Sequence, residues 1–401
     1  MTETTKHPAG RVPYLRLFRR FLRATLASIR PDRMRGPRHL AALAVFLPPF
    51  LVLQGVHWIG FLLDEILFPG YRKVVVREPL FVVGMPRTGT TFLHQALAAD
   101  EERFTTLRLW ELLLAPSITE RRILLGLITV DRMLGSPLGR LIRRLGSAAC
   151  RWMEAVHPVS LANPEEDYFF LLPVFACFLL VVPFPDHPRL WELARFDELP
   201  DEEREPIMAF YRSCVQRHLY ATGHGRQLLS KNPSFTPMVR ALAECFQDAR
   251  FLCSMRDPVE AVPSLLNSLR PGARLFGWDT RNRRDRDRLL GMLENYSSHA
   301  IAALAGLRDD RYAFVPLGAL HRDAGGTVLG IYERFGWTPE EGYRRRLMDW
   351  TRTGRDYRSR HAYSPEDFGL TAENLAARFP GLVEMLAADR RDEYSSARIE
   401  S

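Results

Sequence analysis

The first strong pattern in the chain is a helical repeat of apolar residues between residues 13 and 29. Leu15, Phe18, Leu22 and Leu26 recur at the three- and four-residue spacing of one helix face, and arginines occupy positions between them. A basic amphipathic helix of this kind suits an anionic membrane surface. The alternative is a helix that packs against the protein's own domain.

The second pattern is an apolar stretch without charged residues over residues 40–63, which is long enough to span a bilayer. Pro48 and Pro49 lie in its middle and predict a break into two short helices, because each proline removes a backbone donor. The pattern favours peripheral or monotopic attachment at the cytoplasmic face of a membrane over a single-pass helix. A further uncharged stretch, residues 168–184, predicts core.

Composition and charge narrow the function classes. The chain has 401 residues, 46% hydrophobic and 25% charged, which is ordinary for a globular protein. Its net charge of +8 arises in residues 1–39, which hold ten basic and two acidic residues. The charge therefore indicates a membrane-binding segment and no nucleic-acid partner. Five cysteines without a C-x-x-C spacing predict buried free thiols instead of a disulfide framework or a zinc site.

The segment over residues 80–92 predicts a strand, a glycine turn and a helix. Gly84 and Gly89 bracket the turn, Arg87 lies within it, and the helix follows directly. This layout aims backbone N–H groups and a helix N-terminus at an anion. A nucleoside triphosphatase loop would need lysine where Thr90 stands, so hydrolysis of ATP or GTP is disfavoured.

A second segment predicts another anion site. Residues 250–255 form a predicted strand, and Asp257 and Pro258 are typical of the N-cap and first position of the helix that follows. Arg256 then lies at the carboxyl edge of the sheet, where open α/β sheets bind ligands. Ser264 follows two helical turns later, and a guanidinium with a hydroxyl suits a phosphate dianion.

These two segments resemble those of the sulfotransferases that use 3′-phosphoadenosine 5′-phosphosulfate (PAPS), and the resemblance extends to about residue 370. It implies that the string PRTGTTFLH is the 5′-phosphosulfate loop, that Arg256 and Ser264 hold the 3′-phosphate, and that no metal is required. The donor-binding residues that it implies are Arg87, Thr88, Gly89, Thr90, Thr91, Phe92, Arg256, Ser264 and, in a late basic segment, Arg360.

The resemblance also implies the catalytic residues. Lys231, one of only three lysines, resembles the family lysine that reaches the sulfuryl group. Glu111 matches the position of a catalytic glutamate in several branches, whereas Pro233 stands where the cytosolic branch has a histidine. His157 is a second catalytic candidate, with Glu165 beside it as an acceptor-site residue. The choice of base between Glu111 and this pair stays open.

The sequence therefore predicts an α/β protein: a three-layer α/β/α sandwich with a central parallel sheet and a P-loop-like nucleotide-binding fold. Residues 71–401 are the predicted sulfotransferase domain, and residues 1–70 are a helical membrane attachment. The predicted reaction is in-line sulfuryl transfer from PAPS to a hydroxyl of a lipid-like or carbohydrate acceptor, with Arg87 and Lys231 neutralising the leaving phosphate oxygen. A P-loop small-molecule kinase and a non-catalytic membrane scaffold on the same fold remain alternatives.

Overall fold

The protein is built around a five-stranded parallel sheet. The structure is a computed structural model and describes residues 12–137, 140, 163–223, 225–354 and 364–399. The strands, whose order across the sheet is β2-β3-β1-β4-β5, are β1 (Leu80–Gly84), β2 (Phe104–Thr105), β3 (Gln227–Lys231), β4 (Arg250–Met255) and β5 (Tyr312–Pro316). The strands predicted within residues 80–92 and over residues 250–255 are confirmed.

Helices cover both faces of this sheet. Alternate residues of each strand point to opposite sides, and the apolar side chains on both sides need to be buried. Phe81 and Phe251 pack into one hydrophobic core, and Leu80, Leu252 and Ala313 pack into another. All five residues of β1 are buried, which explains why its sequence is continuously apolar. The predicted three-layer sandwich is confirmed.

The α-helices of the described residues are numbered in chain order. They are α1 (Tyr14–Ser28), α2 (Pro37–Leu67), α3 (Thr90–Ala98), α4 (Leu109–Leu113), α5 (Ile118–Met133), α6 (Pro188–Glu192), α7 (Asp201–Thr222), α8 (Val239–Cys245), α9 (Pro258–Leu275), α10 (Arg283–Ala305), α11 (Leu317–Arg322), α12 (Ala324–Arg334), α13 (Glu341–Gly354), α14 (Ala372–Arg378) and α15 (Pro380–Ile399).

Helix α1 has an inner and an outer apolar face. Leu17 and Phe21 are buried in the protein's own core, whereas Leu15, Leu22 and Leu26 are exposed. One face of the helix therefore packs against the domain, while the other face is exposed and available to a membrane.

Helix α2 is one continuous helix of 31 residues, so the predicted break at Pro48 and Pro49 is wrong. Two missing backbone donors weaken a helix interior, but tertiary contacts hold α2 on either side of them. Before the prolines, His39 hydrogen-bonds the Pro183 carbonyl at 2.9 Å, and after them Trp58 Nε1 donates to the Pro173 carbonyl at 3.0 Å. By length and composition, α2 is also apolar enough to cross a membrane.

The far end of α2 is joined to the first turn of α5. The Asp64 carboxylate accepts hydrogen bonds from the backbone N–H groups of Ile118 (2.9 Å) and Thr119 (2.8 Å). His57 lies 2.6 Å from a Glu120 carboxylate oxygen. These contacts cap α5 with side chains from α2, so the two helices form one unit.

The residues between α5 and α6 differ from one sequence expectation. The sequence from Asn163 to Glu166, with a proline and two acids, is typical of a helix start. Pro164 instead pairs with Arg108 in an antiparallel bridge, and the helix that follows is a 3₁₀ helix over Asp167–Val174. Pro173 limits that helix, because a proline inside an α-helix removes a backbone donor. Most of residues 168–184 are buried, as predicted.

The expectation of buried free thiols is confirmed for three of the five cysteines. Cys177, Cys214 and Cys253 are free and buried. Cys245 is free and partly exposed. Cys150 lies outside the described residues.

Candidate active site

The backbone of the loop after β1 favours glycine at two positions. Gly84 has φ +123° and lies so close to β4 that a Cβ would collide with the Ser254 carbonyl oxygen. Gly89 has φ +84°, and a Cβ there would collide with the Leu317 side chain. Arg87 also has a positive φ, +69°, which is uncommon for a residue with a side chain. The loop is therefore a tight turn held between β4 and α11.

Hydrogen bonds from two side chains hold the backbone of this loop. The buried Thr88 donates from Oγ1 to the Met85 carbonyl at 2.7 Å, and Ser254 Oγ donates to the Thr88 carbonyl at 2.6 Å. Thr90 is buried, Thr91 is exposed and Phe92 is partly exposed. No side chain of the described residues caps the first turn of α3. Its N-terminal amides and partial positive charge therefore suit an anion.

The two arginines predicted to bind phosphate meet at this loop. Arg256 follows β4 and donates from Nη1 to the Arg87 carbonyl at 3.1 Å. Arg87 Nε in turn donates to Ser264 Oγ on α9 at 3.1 Å. Asp257 accepts a hydrogen bond from Val259 N at 2.9 Å, which confirms it as the N-cap of α9. Arg87, Arg256 and Ser264 thus form one contiguous set.

Lys231 lies on the other side of the loop, because β3 and β4 flank β1. Its register partner in β1 is Val82, and its Nζ lies 3.0 Å from Glu166 Oε1. Burial and the nearby Lys231 ammonium lower the pKa of His94 to about 3, so this histidine is neutral. It is a buried residue of α3.

Glu111 is held at the start of α4. Its Oε2 accepts from the Arg108 backbone N–H at 2.7 Å, and its Oε1 accepts from Arg121 Nη1 at 2.9 Å. The same Arg121 nitrogen donates to His218 Nδ1 at 3.2 Å, and His218 Nε2 lies 3.0 Å from Thr105 Oγ1. Burial and Arg121 lower the pKa of His218, which fits a neutral ring that accepts from the arginine.

Backbone pairing brings the glutamate and lysine regions together. Leu109 N donates to the Asn163 carbonyl at 3.2 Å, and Glu165 N donates to the Leu107 carbonyl at 2.9 Å. The segment that carries Glu165 and Glu166 is thereby fixed against the start of α4, and Glu166 reaches Lys231. The sequence indicates no catalytic role for Glu166 or Arg121, since neither lies in a recognisable catalytic motif.

Two predicted site residues cannot be placed relative to the others. His157 and Arg360 fall outside the described residues. Within the ranges that are described, no group of three or more His, Cys, Asp or Glu side chains is placed to hold a metal ion.

Comparison with known proteins gives consistent matches. A sequence model described as the Sulfotransferase family matches residues 79–341. The omega-hydroxy-beta-dihydromenaquinone-9 sulfotransferases Stf3 of Mycobacterium tuberculosis and Mycobacterium bovis are 24% identical over 214 residues, which are 51% of this chain and 49% of theirs. The chain thus spans about half the length of the curated relatives it matches.

Two solved structures share the fold over nearly the whole chain. The sulfotransferase STF1 of Mycobacterium tuberculosis has a TM-score of 0.68 at 22% identity, and 93% of this chain and 94% of that chain are covered. The sulfotransferase STF9 of Mycobacterium avium has a TM-score of 0.66 at 21% identity, with 92% and 95% covered.

Proposed function

Because the chain belongs to the sulfotransferase family, we propose that it transfers the sulfuryl group of PAPS to the hydroxyl of a lipid-like acceptor at a membrane surface. The observation that carries the donor assignment is the contact of Arg87 with both Ser264 and Arg256. Arg87 and Arg256 are 169 residues apart in the chain, yet they meet at one loop. A nucleotide with phosphates at both its 5′ and 3′ positions fits such a pair of adjacent anion sites.

The residues present fit this donor. The uncapped first turn of α3 offers backbone N–H groups to the 5′-phosphosulfate, and the partly exposed Phe92 offers a face on which the adenine can stack. Arg256 and Ser264 offer a guanidinium and a hydroxyl to the 3′-phosphate. A late basic segment with Arg360 closes the site in our proposal, as the family resemblance implies.

Transfer moves the sulfuryl group in line from a phosphate oxygen to the acceptor oxygen, while the acceptor proton goes to a base. We assign the base to Glu111, whose two oxygens each accept one hydrogen bond and keep lone pairs for a hydroxyl. Lys231 and Arg87 stabilise the negative charge that gathers on the leaving oxygen. The pairing of Lys231 with Glu166 at 3.0 Å holds the ammonium in place before the reaction.

Two features support a lipid-like acceptor. Helix α2 exposes Val45, Val52, Ile59 and Ile66 at seven-residue intervals, so one apolar stripe runs along its outer side. The related Stf3 proteins are named for a hydroxylated dihydromenaquinone.

The same features support attachment to one leaflet. Residues from His39 to Asp64 of α2 are buried against the body at regular intervals, so one face of the helix stays on the protein along its whole length. A helix held in this way lies beside the catalytic body, with its outer stripe available to acyl chains. We therefore propose monotopic attachment at the cytoplasmic face, with residues 1–70 as the attachment segment.

The proposal is tested with purified protein, PAPS labelled with ³⁵S and a membrane lipid extract. We expect label to appear in a lipid fraction and to disappear with Lys231→Met. A matched control, Lys73→Met, removes one of the other two lysines and should leave the transfer unchanged. Adenosine bisphosphate binding without any labelled product would contradict an enzyme and favour the scaffold, whereas ATP binding with phosphate transfer would favour the kinase.

A further inference from the structure

We propose that a basic cleft beside α1 binds the phosphate of an anionic phospholipid. The cleft has a volume of about 940 Å³ and lies between α1 and the chain from His187 to Pro206. Two acidic residues line it, Glu202 and Glu203. Six arginines line it as well: Arg16, Arg19, Arg20, Arg23, Arg33 and Arg189.

The acids leave most of this positive charge without a partner. Glu203 pairs with Arg20 at 3.0 Å, and the Glu202 backbone carbonyl accepts from Arg16. Among the described residues, Arg19 and Arg23 make no ion pair, and both are exposed. A concentration of arginines of this kind attracts phosphate, since each guanidinium offers several donors in a fixed plane.

A buried histidine in the wall of the cleft points to a bound anion independently. His187 is only 2% exposed, and the neighbouring Ala24 backbone lies outside normal hydrogen-bond geometry for either ring nitrogen. The Arg20 Nε, also buried, has no hydrogen-bond partner among the described residues. Buried donors without a partner are destabilising, so a ligand rich in acceptor oxygens would stabilise the protein by accepting hydrogen bonds from them.

The charge state of His187 agrees with this arrangement. Burial, and then the nearby Arg33, lower the pKa of His187 to about 4. The ring is therefore neutral at pH 7 and carries one donor and one acceptor nitrogen. A phosphate in the cleft would offset the surrounding guanidinium charges and raise that pKa.

The neighbouring surface identifies the ligand as a lipid instead of a free phosphate. On α1, Arg19 lies one turn from both Leu15 and Leu22, and Arg23 lies one turn from Leu26. All three leucines are exposed. A phospholipid whose acyl chains lie along these leucines would therefore place its headgroup phosphate beside the two unpaired arginines.

This apolar face continues onto α2. The Phe18 ring packs edge-on against the Trp58 ring with 5.2 Å between their centroids. Phe18 is 38% exposed, whereas Trp58 is 5% exposed, so the exposed edge of Phe18 extends the leucine face of α1 towards α2. The cleft thus lies beside an exposed apolar surface that suits contact with acyl chains.

Vesicle flotation of the full chain tests the proposal. Vesicles of phosphatidylcholine alone are compared with vesicles that contain phosphatidylglycerol, for the wild type and for Arg19→Gln/Arg23→Gln. We expect the variant to lose roughly 30-fold in affinity for the anionic vesicles, from two surface arginines, and little for the neutral ones. Arg240→Gln/Arg344→Gln removes the same charge at exposed positions of α8 and α13. An equal loss in this control would overturn the site in favour of general basicity.

A second measurement separates a headgroup from free phosphate. The imidazole signals of His187, assigned by their absence in His187→Gln, are followed by NMR during titration with a short-chain soluble phosphatidylglycerol or with inorganic phosphate. We expect the lipid alone to shift these signals and to raise the pKa of the ring. Equal shifts with both ligands would show an inorganic phosphate site, and no shift would refute the cleft. Neither measurement involves sulfuryl transfer, so its failure leaves the proposed function standing.

Discussion

Replacing Arg256 with alanine tests its proposed contact with the 3′-phosphate of the nucleotide separately from the other nucleotide contacts. The Arg256 guanidinium donates to Glu260 at 2.8 and 3.0 Å and to the Arg87 carbonyl at 3.1 Å. The Glu260 side chain is 63% exposed, so this ion pair contributes at most about 1 kcal/mol to stability. Arg256→Ala should therefore fold normally.

The expected loss of affinity follows from the hydrogen bonds that phosphate would receive. Each hydrogen bond to a charged group contributes about 1.5–3 kcal/mol, and a guanidinium can donate two in parallel. Part of this binding free energy is offset, because Arg256 must break its ion pair with Glu260 to reach the phosphate. A net loss of about 3 kcal/mol is expected, which corresponds to roughly 100-fold weaker binding.

Isothermal titration calorimetry with adenosine 3′,5′-bisphosphate and with AMP measures this directly. Arg256→Ala should lose roughly 100-fold for the bisphosphate and less than about threefold for AMP, which lacks the 3′-phosphate. Glu260→Ala is the matched control, since it breaks the same ion pair and keeps the guanidinium; it should bind the bisphosphate at least as well as the wild type. Equal losses for both nucleotides in Arg256→Ala would refute the assignment.

Three further predictions concern turnover, stability and pH. Lys231→Arg keeps the charge at a buried position, so turnover should fall at least tenfold while bisphosphate affinity holds; unchanged turnover would reduce Lys231 to a structural residue. Arg217→Met removes the cation that pairs with the buried Asp64 at 2.9 Å and leaves only neutral donors on that carboxylate, so urea unfolding should show a loss of about 3–5 kcal/mol; less than 1 kcal/mol would contradict this. Burial raises the pKa of Asp167 to about 6. The folded state then binds the Asp167 proton more tightly than the unfolded state does. The free energy of unfolding should therefore fall by on the order of 3 kcal/mol as pH rises from about 4 to about 6, and Asp167→Asn should remove this pH dependence.

Local sequence signals predicted the sheet and the loop well, because their causes are local. The strand over residues 250–255 is a buried apolar run, and Asp257 with Pro258 marks the start of the next helix. Gly84 and Gly89 are needed for positive φ and close backbone contact, so the turn could be placed from glycine spacing alone.

Contacts between distant segments could not be predicted from the sequence. Lys231 meets Glu166 across 65 residues, and no motif marks the acid as its partner. Glu111 was identified by position, but its partner Arg121 looks like any helix arginine. The continuity of α2 through Pro48 and Pro49 also depends on packing, which outweighs the local preference for a break.

The first turn of α5 has a mechanical consequence for the enzyme. It receives Asp64 and His57 from α2 on one side, while on the other Arg121 holds Glu111. A displacement of α2 would therefore be passed through this turn to the Glu111 carboxylate. With α2 at the membrane and Glu111 as the base, as we propose, lipid packing should change the rate of sulfuryl transfer, while nucleotide affinity, which we assign to the loop around Arg87 and Arg256, should stay constant.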